Sequence, residues 1–462
     1  MKKNRIPRVM IAAPSSGSGK TTITCGLLQI LVNRKCNPIS FKCGPDYIDP
    51  MFHRSVIGVP TGNIDAFFMN KENMRYLFAE MCNQQQRATI AVVEGVMGYY
   101  DGQCADSTKA SSYEVARDLE MPVILVVNGS GASLSIAATI KGFAQFRTPS
   151  QIKGIILNQV SQKTYLGIKQ CVERETGVEV LGYLPKQEGM VWQSRHLGLV
   201  LPDEVKDLQK ELQQLSASME QTIDVDRILA IAEAAEEFTY EAPKTEIAKE
   251  KEKVNIRIAI AMDAAFCFYY QESLQLLKSL GAELVPFSPL FDKELPERIQ
   301  GIILGGGYPE LYAKKLAQNE TMKCAVFQAL SKRLPCIAEC GGFLYLQQTL
   351  TDVQEQTFPM VGFLDGHARK AIKRRHFGYI TVSMKEVSIL GKAGTQIPAH
   401  EFHYWESDSE GEAALAVKPD GKRTWACIRQ KENVVAGFPH FYLPGAVSVA
   451  QAFIEACRAY SL

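Results

Sequence analysis

The chain has 462 residues, 46% of them apolar and 22% charged, which is more than one ordinary core accommodates and predicts two globular domains. Its 51 Lys+Arg nearly cancel its 50 Asp+Glu, so no global basic field points to nucleic acid or to an anionic membrane. The 12 cysteines are scattered without a C-x-x-C pair; this argues against a disulfide framework or zinc ribbon and for the reducing cytoplasm, and no run reaches the roughly 18 apolar residues of a membrane span.

In chain order, the first apolar run, residues 8–13, is too short for the core of a signal peptide and is read as a buried strand. Further short apolar runs at 89–94, 123–128, 154–158 and 180–184 alternate with helical periodicity at 21–33 and 111–119. Buried runs alternating with helices predict a parallel sheet covered on both faces.

Between the first strand and the first helix lies Pro14-Ser-Ser-Gly-Ser-Gly-Lys20-Thr21-Thr22. Ser16, Gly17 and Gly19 allow backbone N–H groups to close around phosphate oxygens at a helix N-terminus, which Thr22 continues. Lys20 reaches the terminal phosphates and the Thr21 hydroxyl joins a Mg²⁺ shell. The usual Walker spacing has glycine where this chain has Pro14.

Two later segments supply acids: Lys42-Cys-Gly-Pro-Asp46-Tyr47-Ile-Asp49, read as a turn carrying carboxylates, and Val93-Glu94-Gly-Val-Met-Gly98-Tyr-Tyr-Asp101. Glu94 closes a strand, and ligands of open parallel sheets sit beyond the carboxyl ends of the strands. Mg²⁺ between phosphates needs one or two protein carboxylates, for which Asp46 and Glu94 are the candidates beside Thr21.

The expected domains are an ATP-binding unit over residues 1–202, a helical connector and charged linker over 203–253, and a second α/β unit over 254–462. In the last, strands are expected at 257–262, 283–286, 301–304 and 336–338, with helices at 273–280 and 319–330. Leu334-Pro-Cys-Ile-Ala-Glu-Cys340-Gly-Gly has the pattern of a nucleophile elbow, a sharp strand-to-helix turn that exposes one side chain. Gly341 permits the turn and presents its N–H to a developing oxyanion, and a helix N-terminus would lower the thiol pKa. Gly306 and Gly307, in the glycine run after 301–304, are candidates for the second oxyanion donor. Of the seven histidines, His440, between Pro439 and Pro444, is the candidate base for the thiol. His400-Glu-Phe-His403 lacks zinc-protease spacing; it reads equally as a substrate loop or as structural histidines. The basic run 369–375 reads as a solvated face or as a dock for an acidic substrate.

Taken together, these motifs, with Gly305-Gly-Gly-Tyr-Pro-Glu310, Ala338-Glu-Cys-Gly-Gly342 and Pro439-His440-Phe441, resemble the cobyrinate a,c-diamide synthase family of corrinoid-pathway glutamine amidotransferases, essentially end to end. The resemblance implies a dethiobiotin-synthetase-like P-loop domain followed by a class I glutaminase-like α/β domain. It also implies ATP and Mg²⁺ as cofactors, with carboxylates of a tetrapyrrole acid phosphorylated and then attacked by ammonia from glutamine. By position, Cys340 resembles the glutaminase nucleophile and His440 its histidine; Asp46, Tyr47, Glu94 and Asp101 fall in the synthetase site, and Asn158 where related enzymes touch adenine. Class I glutaminases carry His-x-Glu, whereas Tyr442 stands here, which implies a Cys–His dyad oriented by something the sequence does not display. The partners implied are small molecules, without nucleic acid or membrane, and a homo-oligomer is left open. The same chemistry on another tetrapyrrole, such as nickel-sirohydrochlorin, and a non-enzymatic MinD/ParA-like ATP switch are the alternatives.

Overall fold

The structure, a computed structural model, describes residues 2–84, 90–187, 202–242, 256–373 and 376–460. It divides into two compact units, Met1–Lys244 and Thr245–Leu462.

The first unit is built on seven parallel strands: β1 (Arg8–Ala12), β2 (Pro38–Cys43), β3 (Thr61–Ile64), β4 (Ile90–Glu94), β5 (Val123–Asn128), β6 (Ile152–Asn158) and β7 (Glu179–Leu184), in the order β3-β2-β4-β1-β5-β6-β7. Five of these are the expected runs, with no end moved by more than two residues. β2 and β3 escape the apolar pattern because buried Ser40, Lys42, Thr61 and Asn63 interrupt it. These polar side chains are buried with partners: Ser40 Oγ donates to Thr61 Oγ1 at 3.0 Å, and Asn63 Nδ2 donates to the Gly44 and Asp46 carbonyls at 3.0 and 2.7 Å. Helix α1 (Lys20–Asn33) follows β1 and lays Leu27, Leu28 and Leu31 against Val9 and Ile11.

The stretch 203–240, set apart from the sequence as a connector, folds as part of this unit. Helices α2 (Pro202–Thr222) and α3 (Val225–Glu233) bury Leu212, Leu215, Met219, Val225, Ile228 and Ile231 in the α1 core. The apolar positions recur at helical spacing beneath a charged outer face, and each buried leucine stabilises by about 2 kcal/mol. Phe238–Tyr240 then pairs antiparallel with Lys2–Asn4. Most of the charged linker, residues 243–253, lies outside the described residues.

The second unit carries β8 (Ile256–Ala261), β9 (Ala282–Phe287), β10 (Gly301–Leu304), β11 (Cys336–Glu339), β12 (Phe377–Met384), β13 (Gln396–Phe402), β14 (Ala414–Val417), β15 (Thr424–Cys427), β16 (Arg429–Lys431), β17 (Val434–Gly437) and β18 (His440–Phe441). One sheet runs β9-β8-β10-β11-β17-β16, parallel except for β16. The antiparallel sheet β15-β14-β12-β13-β18 lies beyond the strands read from sequence. It is half-buried: Ile380, Val382 and Met384 of β12 alternate into the core while their neighbours stay accessible. Helix α4 (Gly341–Leu346) follows β11 directly. Among the described residues no helix is long and apolar enough to cross a membrane.

Candidate active site

At the carboxyl edge of the first sheet, β1 leads into the phosphate loop, and β2, β4 and β6 end beside it. Gly19 caps α1 in the left-handed region, φ 100°, and a Cβ there would lie 2.0 Å from Asn158 Nδ2. Only glycine meets both demands. Asn158 donates from Nδ2 to the Ser18 carbonyl at 2.9 Å, so it buttresses the loop from the end of β6. Ser16 and Gly17 are exposed on the loop, and Thr21 and Thr22 are half-buried at the start of α1. The loop forms with Pro14 at its base.

Lys20 donates to the Ser15 carbonyl at 3.2 Å and the Met97 carbonyl at 2.6 Å, which holds its ammonium under the loop. Burial, then repulsion from Lys42, pushes its pKa down to about 8. An arriving phosphate relieves both effects by supplying negative charge. Thr21 Oγ1 donates to Glu94 Oε1 at 2.6 Å.

Lys42 and Glu94 are register partners on β2 and β4. Lys42 Nζ bonds Glu94 Oε1 at 2.6 Å and Asp49 Oδ2 at 2.5 Å, with Asp46 Oδ2 at 3.9 Å. Burial opposes the Lys42 ammonium, but Asp49, Glu94 and Asp46 outweigh it and hold the pKa above the ordinary range. Burial likewise works to raise Asp49; Lys42 overcomes it and leaves the carboxyl below its usual value. Glu94, with no solvent exposure, is pushed up by burial to about 7 against the pull of Lys42. Asp46 Oδ1 accepts the Ile48 and Asp49 N–H groups at 2.8 and 3.2 Å, which closes the turn. Half-buried Tyr47 leads into the short helix Ile48–Phe52. Asp101 accepts the Gly98 N–H at 2.8 Å and acts electrostatically on Lys20.

The donors suit a Mg²⁺ ion held mainly by phosphate and water. Thr21 and Glu94 stand together at the loop, Glu94 Oε2 accepts no hydrogen bond among the described residues, and Asp46 is near. No preformed group of three His, Cys, Asp or Glu ligands exists among the described residues.

In the second unit Cys340 occupies the turn from β11 to α4 at φ 46°, ψ −98°. Left-handed φ is unusual for cysteine and marks a strained elbow. The Cys340 N–H donates to the Gly437 carbonyl at 2.7 Å, and the Gly342 N–H to the Gly305 carbonyl at 3.0 Å. Gly305 donates to Tyr269 Oη at 2.9 Å, and Tyr308 to the Ala265 carbonyl at 3.1 Å. Those amides are therefore occupied. Gly307 N and Gly341 approach each other, for a Cβ on Gly341 would lie 3.1 Å from Gly307 N.

Burial pushes the thiol well above its ordinary pKa; carboxylates of Glu310, Glu401 and Glu339 add to the rise, and the Gly341 N–H only partly offsets it. This corrects the expectation that a helix N-terminus would lower the thiol pKa: α4 has six residues, and burial outweighs it. Cys340 consequently needs a base to take its proton during attack.

His440 sits opposite His400 across β13 and β18. Its ring lies against Gly306, where a Cβ would come within 2.4 Å of Cε1. Glu339 Oε2 is 3.7 Å from His440 Nδ1. His403 bonds Glu401 Oε1 at 2.9 Å and the Trp405 carbonyl at 2.5 Å, and stacks on Phe438. Burial, then His440 and Lys418, pushes the His400 pKa down to about 3, so that ring is neutral. In the basic run, Arg369 pairs with Glu406 at 3.2 Å, and residues 374–375 lie outside the described residues.

Residues 9–199 match the CobQ/CobB/MinD/ParA nucleotide binding domain, and residues 257–446 the CobB/CobQ-like glutamine amidotransferase domain. A cobyrinate a,c-diamide synthase of Caldanaerobacter subterraneus subsp. tengcongensis is 37% identical over 455 residues, which is 98% of this chain and 98% of that protein. The chain belongs to the cobyrinate a,c-diamide synthase family. Members of the same name from Priestia megaterium, 37% identical over 98% of this chain and 97% of theirs, and from Salmonella typhimurium, 36% over 97% and 98%, extend the similarity equally far. As a cobyrinate a,c-diamide synthase family member, the chain is a glutamine-dependent, amide-forming ligase with a nucleotide-binding domain, and the family implies ATP use.

Three residues at these sites were not singled out from sequence. Lys42 and Asp49 lay inside a motif read as a turn, yet a lysine followed within seven residues by two acids was a signal for a buried charge cluster. Glu339 stood beside the nucleophile, where adjacency gave no sign that it faces the histidine.

Proposed function

We propose that the chain amidates the a and c side-chain carboxylates of cobyrinic acid, with ATP as activator and glutamine as nitrogen donor. The observation that carries this reading is the Thr21–Glu94–Lys42 network closing the phosphate loop in a chain that also holds the Cys340 elbow.

A carboxylate resists ammonia because oxide is a poor leaving group. Transfer of the γ-phosphoryl to a carboxylate oxygen gives an acyl phosphate, from which phosphate departs. Loop amides at Ser16, Gly17 and Gly19, with Lys20, bind the ATP phosphates, and Thr22 extends that contact along α1. Thr21, Glu94 and Asp46 would hold Mg²⁺, which supplies charge neutralisation between phosphates when bound. Asn158 keeps the loop in register. Tyr47 and Asp101 flank the acceptor carboxylate, and Lys42 orients Glu94 and Asp49 while offsetting their charge.

In the second unit, His440 takes the Cys340 proton as sulfur attacks the glutamine amide carbon. Gly307 and Gly341, beside Gly306, donate to the oxyanion. His440 then protonates the departing ammonia, and water hydrolyses the thioester to glutamate. Ammonia must arrive unprotonated at the acyl phosphate, since ammonium has no lone pair to attack with.

Incubating cobyrinic acid, and separately nickel-sirohydrochlorin, with ATP, Mg²⁺ and glutamine distinguishes the acceptors by mass spectrometry. We expect cobyrinic acid to lose about one mass unit per amide as OH becomes NH₂, twice, with fragments placing both amides on the a and c chains. Conversion of nickel-sirohydrochlorin alone would transfer the activity to that acceptor. ATP hydrolysis without any amide would favour a nucleotide switch.

A further inference from the structure

The reading of Cys340 and His440 as nucleophile and base leaves the histidine without the acid two residues later that class I glutaminases carry. Tyr442 fills that place, fully buried and edge-on to Tyr270 at 5.0 Å. It cannot present a carboxylate to the imidazole.

We propose that Glu339, the residue immediately before the nucleophile, is the positioning acid for His440. Its two oxygens have separate tasks. Oε1 accepts the Phe441 N–H at 3.0 Å, which pins the side chain to the backbone next to His440. Oε2 is thereby held 3.7 Å from His440 Nδ1. Both side chains are largely shielded, with 15% of Glu339 and 3% of His440 exposed, so water competes little for the contact. Separations of this length are common before substrate binds and tighten in the catalytic complex.

The backbone explains how adjacent residues take these roles. β11 pairs with β17, Glu339 opposite Gly437, and the Cys340 N–H bonds the Gly437 carbonyl at 2.7 Å. β17 leads within three residues to His440. Cys340 turns into the elbow while Glu339 reaches across to β18. A carboxylate at Nδ1 holds the proton there and leaves Nε2 to accept from the thiol. The other ionisable groups at this corner have different partners. Glu401 bonds His403 at 2.9 Å, His400 lies across the strand pair, Tyr269 Oη accepts from Gly305 and donates to Ala261, and Glu310 acts on the thiol itself.

Glu339→Gln tests the assignment, because the amide oxygen still accepts from Phe441 and preserves the anchor. The readouts are glutamate release, iodoacetamide alkylation of Cys340, and amidation driven by ammonium salt. We expect kcat for glutamate release to fall about tenfold or more, with KM for glutamine changed less than about twofold. Alkylation should slow in parallel, while ammonium-driven amidation keeps its wild-type rate. Wild-type kcat, or a loss carried entirely by KM, would overturn the proposal. Loss of ammonium-driven amidation in the variant would also overturn it, by assigning Glu339 a structural role. Glutamate release does not depend on the acceptor, so failure of the corrinoid reading would leave this test intact.

Discussion

Cys340→Ala should abolish glutamine hydrolysis, with glutamate release down on the order of 10⁴-fold or more, while ammonium salts still support amidation. The thiol is buried with a raised pKa, and its reaction depends on proton removal at the elbow. Alanine removes the sulfur without changing the backbone demand, since at φ 46° it is strained much as cysteine is. The phosphate loop belongs to the other compact unit and keeps its own network. Activity with ammonium should rise with pH as more free ammonia forms. Paired assays of glutamate and product amide check this; loss of both activities would contradict the division of labour.

Glu94→Gln should leave glutamate release intact and reduce ADP formation by about 10²–10³-fold. Glu94 Oε1 is shared by Thr21 and Lys42, both at 2.6 Å. A neutral amide removes the charge that organises them. Lys42 would retain Asp49, with Asp46 nearby. Weakening a buried ion pair also costs stability, up to about 3–5 kcal/mol when one partner is lost outright. A lower melting temperature should therefore accompany the lost ADP formation, and added ATP should protect the variant less than the wild type. Coupled ADP and glutamate assays, with thermal melts, measure these effects. Normal ADP formation would remove Glu94 from the phosphate site.

The parts legible in sequence were those with a local physical signature. β1, β4, β5, β6 and β7 announced themselves as apolar runs, and the glycine-rich loop announced its helix through Gly19 and Lys20. Cys340 was marked by the glycines that follow it. β2 and β3 were hidden because Ser40, Lys42, Thr61 and Asn63 serve a buried polar network, and polarity read locally signals exposure. The helices around Leu212 and Ile228 were hidden by their charged faces. The Lys42–Glu94 pair depends on strand register, which no local pattern reveals. The Glu339–His440 contact depends on β11, β17 and β18 converging from distant parts of the chain. Burial, which raises the Cys340 pKa, leaves no local mark in the sequence, whereas the helix that follows the residue does.

We propose that the nucleotide-binding unit activates a carboxylate by phosphorylation. Cobyrinic acid labelled with ¹⁸O in its carboxylates, incubated with ATP, Mg²⁺ and glutamine, tests it directly. An acyl phosphate predicts that each amide formed delivers one ¹⁸O into inorganic phosphate, because the carboxylate oxygen leaves with the phosphoryl group. Amide formation with unlabelled phosphate, or with the label in AMP, would contradict it.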